Sequence, residues 1–128
     1  GFANFPITKP SLINLNGITI KEFPINTHSL MGKRFIFSGG GYFRLIPYSL
    51  IKSFTKKSDY VMSYFHPRDF DYEQPMIPGL SIFRKFKSYV GLKQCRPKLE
   101  KWLNDFKFID LKEADSIINW NQQKEVNL

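Results

Sequence analysis

The hydrophobic pattern changes period several times along the 128 residues. Ile18 to Ile25 alternates apolar with polar and is rich in β-branched side chains, which predicts a strand closed by Pro24 and Asn26. Residues 1–16 hold Pro6, Pro10 and several Asn and Ser without a sustained period, and read as an irregular opening segment. Lys33 to Phe37 predicts a second short strand, broken by Gly39, Gly40 and Gly41. Pro47 suits the first turn of a helix that puts Leu50, Ile51 and Phe54 on one face. Tyr60-Val-Met-Ser-Tyr-Phe65 is mostly aromatic or β-branched and lacks clean alternation, as a strand covered on both faces would. A loop from Pro67 to Gly79 follows. Leu80, Phe83, Phe86 and Val90 fall at helical spacing, with Gly91 as the stop. Pro97 opens another helix carrying Leu99, Trp102, Leu103 and Phe106. Phe108 to Leu111 predicts a short strand. Asp110 followed by Glu113 is the signature of a cap on a last helix ending near Ile118. Residues 119–128 are polar and predict a frayed tail.

Strands alternating with helices imply βα units and a parallel sheet, hence an α/β fold. About four strands are too few for a complete eight-unit barrel, which needs roughly 200 residues or more. The pattern fits the last third to half of such a barrel, or a small α/β layer of its own.

Composition narrows this picture in three ways. The formal charge of +8 points to an anionic partner (nucleic acid, an acidic glycan or a membrane surface) or simply to a solvated lysine-rich face. The lysines are spread out with no arginine-rich block, so nothing specific favours nucleic acid. Cys95 is the only cysteine, which excludes an internal disulfide and a cysteine zinc site. No run approaches the roughly 18 apolar residues of a membrane span, and no signal peptide is visible. The chain opens on Gly1 without a methionine, which leaves room for a preceding signal or domain.

The chemistry gathers around His66, one of two histidines. It ends the Tyr60–Phe65 run, and α/β sheets and barrels place their sites at the carboxyl ends of strands. Pro67 favours an extended backbone at His66. Asp69 and Asp71 are near enough in sequence to orient an imidazole, although a capping histidine beside an Asp-rich turn explains the same residues. Together the three have metal-ligand character, weakly, since one short loop carries them all. Gly39–Gly41 could bring amides to an anion, but no Gly-Lys-Ser/Thr follows, and a tight bend or bulge serves as well. Strand alternation would set Arg44 on the opposite face from Phe43 and Leu45, to hold a substrate carboxylate or an internal one such as Glu22. The aromatic surplus offers sugar-stacking platforms, though most of the phenylalanines must be core. His28 has loop-like neighbours and no evident partner, and Cys95 reads as inert.

Three strings in this order carry a family resemblance: Ile20-Lys-Glu-Phe-Pro-Ile25, Gly39-Gly-Gly-Tyr-Phe-Arg-Leu-Ile-Pro47 and Tyr64-Phe-His-Pro-Arg-Asp-Phe-Asp71. Over residues 17–118 the chain resembles the carboxyl-terminal domain of unknown function attached to one branch of the polysaccharide deacetylases. The resemblance implies the carboxyl-terminal portion of a distorted (β/α) barrel and hydrolysis of acetyl groups on a cell-envelope or exopolysaccharide glycan. It implies a divalent metal, zinc by preference, in the complete enzyme. The metal ligands and base lie in amino-terminal motifs of the Thr-Phe-Asp-Asp and His-x-x-x-His type, which this chain lacks. His66 matches the histidine of a Leu-x-His-type motif that acts as general acid, with Asp69 orienting it. Here the leucine is replaced by Tyr64, and the branch's His-Pro-Trp-Glu reads His66-Pro67-Arg68-Asp69. Arg44 and Tyr42 become candidate substrate contacts. The expected partners are a polysaccharide substrate and the missing amino-terminal catalytic part, without which this chain binds no metal and is inactive. The alternative is a non-catalytic glycan-binding or barrel-closing module. Unpaired sheet edges would favour a homodimer or strand exchange.

Overall fold

The computed structural model describes residues 7–25, 27–30 and 32–127. It shows a small mixed α/β domain: two small sheets and a helical body, with no closed barrel among the described residues. Strand β1 (Ser11–Leu15) pairs antiparallel with β2 (Ile18–Glu22), Ile13 facing Ile20. Asn16 and Gly17 close the hairpin with φ of 52° and 84°. Positive φ at both positions is what a two-residue type I′ turn requires, and Asn-Gly is its preferred sequence. The opening segment is therefore not irregular from Ser11 onward: the Asn-Gly pair was the hairpin signal in the sequence. Strand β2 ends at Glu22, before Phe23 and Pro24.

The tail also departs from expectation. Trp120–Gln122 forms one 3₁₀ turn, and β5 (Glu125–Asn127) pairs parallel with β1, making the sheet β2-β1-β5. Val126 lies opposite Ile13, and the Trp120 ring packs edge-on to Phe23 at 5.4 Å. These cross-chain contacts give the polar tail the packing its own sequence lacks.

Strands β3 (His28–Leu30) and β4 (Lys33–Phe35) form a second hairpin. His28 is thus not in a loop: its ring stacks on Phe54 at 4.6 Å. Helix α1 (Gly40–Leu45) begins within the triple glycine, so Arg44 lies on a helix rather than on a strand. Both Phe43 and Arg44 are consequently buried, not on opposite faces, while Leu45 is exposed. Helix α2 (Tyr48–Lys56) starts directly after Pro47, as expected, and buries Ile51.

Tyr60–Phe65 runs extended, and Tyr64 forms a parallel bridge to Gly39. The Tyr64 N–H donates to the Ser38 carbonyl at 3.3 Å. An ideal Cβ on Gly39 would sit 1.9 Å from the Tyr64 carbonyl oxygen. Glycine is therefore what lets the two segments meet. Gly39→Ala should cost about 1–3 kcal/mol through forced backbone movement, read as a lower thermal midpoint. An unchanged midpoint would mean that the bridge contributes nothing.

Helix α3 (Ile82–Tyr89) forms where the periodicity placed it, capped by the Ser81 hydroxyl, yet none of its residues is buried. Helix α4 (Leu92–Asp105) starts five residues before Pro97 and carries that proline inside it. The apolar stripe explains this: Leu92, Cys95 and Trp102 are buried on one face that extends upstream of Pro97. Burial of that face outweighs the single backbone bond proline forgoes. Phe108–Leu111 is not a strand. It is an extended link into α5 (Leu111–Ile117), whose start is capped by the Asp110 carboxylate accepting the Glu113 N–H at 2.8 Å.

The core is Phe37, Phe43, Ile51, Cys95 and Trp102, ringed by half-buried aromatics. The Trp102 indole N–H donates to the Thr55 hydroxyl at 2.9 Å, so its burial leaves no polar atom stranded. No helix among the described residues is long and apolar enough to cross a membrane.

Candidate functional site

His66 lies where the sequence put it, at the end of the extended run, with φ −97° and ψ 150°, the backbone that a following proline favours. Pro67–Asp69 then makes a single 3₁₀ turn. This turn is locked at both ends. The Asp69 N–H donates to the His66 carbonyl at 2.9 Å, and the His66 N–H donates to Asp69 Oδ2 at 3.0 Å. The imidazole itself is exposed, with Nε2 3.0 Å from the Tyr64 hydroxyl.

Asp69 is buried, only 4% exposed, and its second oxygen faces the Arg44 Nε at 3.4 Å. Arg44, itself 7% exposed, spends its other nitrogens on α3: Nη1 donates to the Ser88 carbonyl and Nη2 to the Lys87 carbonyl, each at 2.9 Å. Arg44 thus finds an internal carboxylate, Asp69 rather than Glu22. It ties three pieces of chain together: α1, the His66 turn and the end of α3. With its guanidinium buried against Asp69 and the carbonyls of α3, it does not face a substrate carboxylate here.

Lys98 secures α1 from the other side, donating to the carbonyls of Phe43, Arg44 and Ile46 at 2.8–2.9 Å. These are carbonyls at the carboxyl end of α1, where a cation is favoured. Burial lowers the Lys98 pKa.

Tyr42 is exposed on α1, its ring 6.3 Å from Phe35. It borders a shallow depression of about 240 Å³ with Gly41, Leu45, Arg44 and Lys87. The site therefore comprises an exposed imidazole and the Tyr64 hydroxyl beside a buried Arg–Asp clamp, while Tyr42 borders the depression next to Arg44. The sequence reading missed Tyr64 as the ring's partner; its position two residues before His66, on the same side of an extended chain, was the available signal. It also missed Lys98, for which the sequence carried no cue.

The two loop acids and the histidine do not converge on a metal. Asp69 is occupied as described, while the Asp71 Oδ1 accepts the Glu73 N–H at 3.1 Å. Among the described residues no group of three or more His, Cys, Asp or Glu could hold a metal ion. His66, Asp69 and Asp71 as described do not fit a metal site.

Cys95 lies under this clamp, and burial pushes its thiol up from 9.0 to about 11. A neutral thiol is unreactive, so Cys95 should resist alkylation at pH 8 until the protein unfolds. Because the folded pKa lies above the unfolded one, the associated stability is complete below about pH 9 and fades as pH rises through about 11. Cys95→Ala should flatten that alkaline decline in a melting-temperature series.

Against known families, residues 1–116 match the model described as Domain of unknown function (DUF3473). The chain belongs to this family. Its match covers the glycine string, the His66 turn and α4, so the whole clamp lies within the family's domain. No curated protein and no solved structure matches the chain.

Proposed function

We propose that this chain is the carboxyl-terminal part of a metal-dependent polysaccharide deacetylase and supplies its general acid, His66. The observation that carries this reading is the presentation of His66. Its ring is exposed beside the Tyr64 hydroxyl, while its backbone N–H is held by Asp69 of a buried ion pair. A general acid needs such a fixed origin and an exposed ring to meet the leaving group. In this reading His66 hands a proton to the leaving nitrogen as the acetyl carbon–nitrogen bond breaks. Asp69 positions it through the backbone rather than through the imidazole. The metal and its ligands belong to the amino-terminal part of the enzyme.

The chain's surface supports its being part of a larger body. Its accessible area is 9329 Å² for 15.1 kDa, whereas a self-contained monomer of that mass exposes about 7,100 Å². Leu15, Ile18 and Ile20 lie bare on the first hairpin. A cleft of about 550 Å³ opens between Tyr60–Ser63 and Phe106–Leu111. In the complete protein the Tyr60–Phe65 run would be a barrel strand, its bridge to Gly39 the surviving piece of a parallel sheet.

The second reading, a barrel-closing module without a chemical step, is favoured by the imidazole having a tyrosine rather than an acid as its partner. Acetate release from an acetylated amino-sugar polymer separates the two. The complete polypeptide should release acetate and this chain alone should not. Zinc-dependent release by the chain alone would refute the division of labour proposed here.

A further inference from the structure

From Gln74 to Leu99 the sequence has no acidic residue but six cations, Arg84, Lys85, Lys87, Lys93, Arg96 and Lys98. Lys98 is engaged by the carbonyls of α1 and Arg96 pairs with Glu100, which leaves Arg84, Lys85, Lys87 and Lys93 for the surface. The same segment carries the single most exposed apolar side chain of the described residues, Ile82, and several others that are largely exposed. Ile82 is 88% exposed, Phe83 65% and Met76 63%, with Ile77 and Phe86 just over half exposed. They form one face. Ile82, Phe86 and Tyr89 share a stripe of α3 at i, i+4 and i+7. The Tyr89 hydroxyl in turn holds the Pro75–Ile77 turn, accepting the Ile77 N–H at 2.8 Å and donating to the Pro75 carbonyl at 3.3 Å. Cations rim the face: the Lys87 ammonium lies 4.7 Å over the Phe83 ring and that of Lys93 5.7 Å over Tyr72.

We propose that this face, α3 with the Pro75–Ile77 turn, docks onto the surface of an anionic lipid bilayer. The chemistry distinguishes the occupant. An acidic glycan would engage the cations and the aromatic rings but gives no use for bare Ile82, Met76 and Ile77. A protein partner would cover the aliphatics, but interface cores are depleted in lysine, and here Arg84, Lys85 and Lys87 are interleaved with the apolar positions. A bilayer surface takes both. Aliphatic and aromatic side chains enter the headgroup–acyl boundary while long cationic stems reach back to the phosphates. The proposal rests on no part of the catalytic reading.

The test is co-sedimentation of the complete polypeptide with vesicles of phosphatidylcholine, alone or mixed with phosphatidylglycerol, at physiological salt. Binding to the mixed vesicles is expected. It should be about a hundredfold weaker on neutral ones, since each cation at the surface is worth roughly a factor of five. The double variant Phe83→Ser/Phe86→Ser, whose fold is checked by circular dichroism, should lose at least about tenfold in binding. Three results would overturn the proposal. One is no sedimentation with anionic vesicles; another is binding that survives the double variant, which would mean charge alone. The third is poor hydroxyl-radical labelling of Phe83 and Phe86 in the lipid-free polypeptide, which would mean that protein already covers this face.

Discussion

Asp69→Ala should destabilise the domain by about 3–5 kcal/mol, the usual cost of removing one partner from a buried ion pair. The side chains of Arg44 and Asp69 are 5% and 6% exposed, so water cannot replace what is lost. Two things happen together. The Arg44 guanidinium keeps its carbonyl bonds to Lys87 and Ser88 but is left with an uncompensated buried charge. The His66 N–H loses its acceptor, and the turn that presents the imidazole is released. Asp69→Asn separates the two effects, because the amide oxygen can still accept from the His66 N–H while the charge is gone. Its cost should fall between those of the wild type and the alanine variant. Urea unfolding measures all three. A loss below about 1 kcal/mol for Asp69→Ala would place the pair among solvated ion pairs and remove the clamp from the account of the site.

His66→Ala should do the opposite: leave stability within about 0.5 kcal/mol, as for an exposed side chain, and remove the chemistry. In the complete polypeptide, turnover on an acetylated glycan should fall by about 10²–10⁴-fold, the range of a positioned general acid. The division between kcat and KM carries the information. A fall in kcat with KM unchanged marks an interaction made in the transition state. A rise in KM with kcat preserved would mean that the ring only binds substrate, and the module reading would then hold. Lost stability would assign His66 to the fold alone.

Several features were legible in the residues themselves. Pro67 set an extended His66, Pro47 preceded α2, and Asp110 with Glu113 capped α5, because each acts through backbone geometry within a few residues. The helical spacing of Phe83 and Phe86 located α3 for the same reason, since periodicity is local. Strand pairing was less legible. Asn16-Gly17 announced a hairpin, but nothing in Glu125–Asn127 specified that it would join β1, more than a hundred residues away in sequence. The link at Phe106–Asp110 has strand composition but joins no sheet among the described residues, and composition cannot supply a partner.

The sequence by itself determined the mixed α/β character, the end of the extended run at His66 and the basic, acid-free stretch from Gln74 to Leu99, all properties of consecutive residues. Tertiary structure decided what Arg44 is for. In the sequence it was a cation between two apolar residues, open to a substrate or to Glu22. The helix that starts at Gly40 turned it inward, and Asp69 met it there, from a turn 25 positions along the chain. Burial of both charges makes each necessary to the other, and desolvation of that kind depends on which segments pack together rather than on any local pattern.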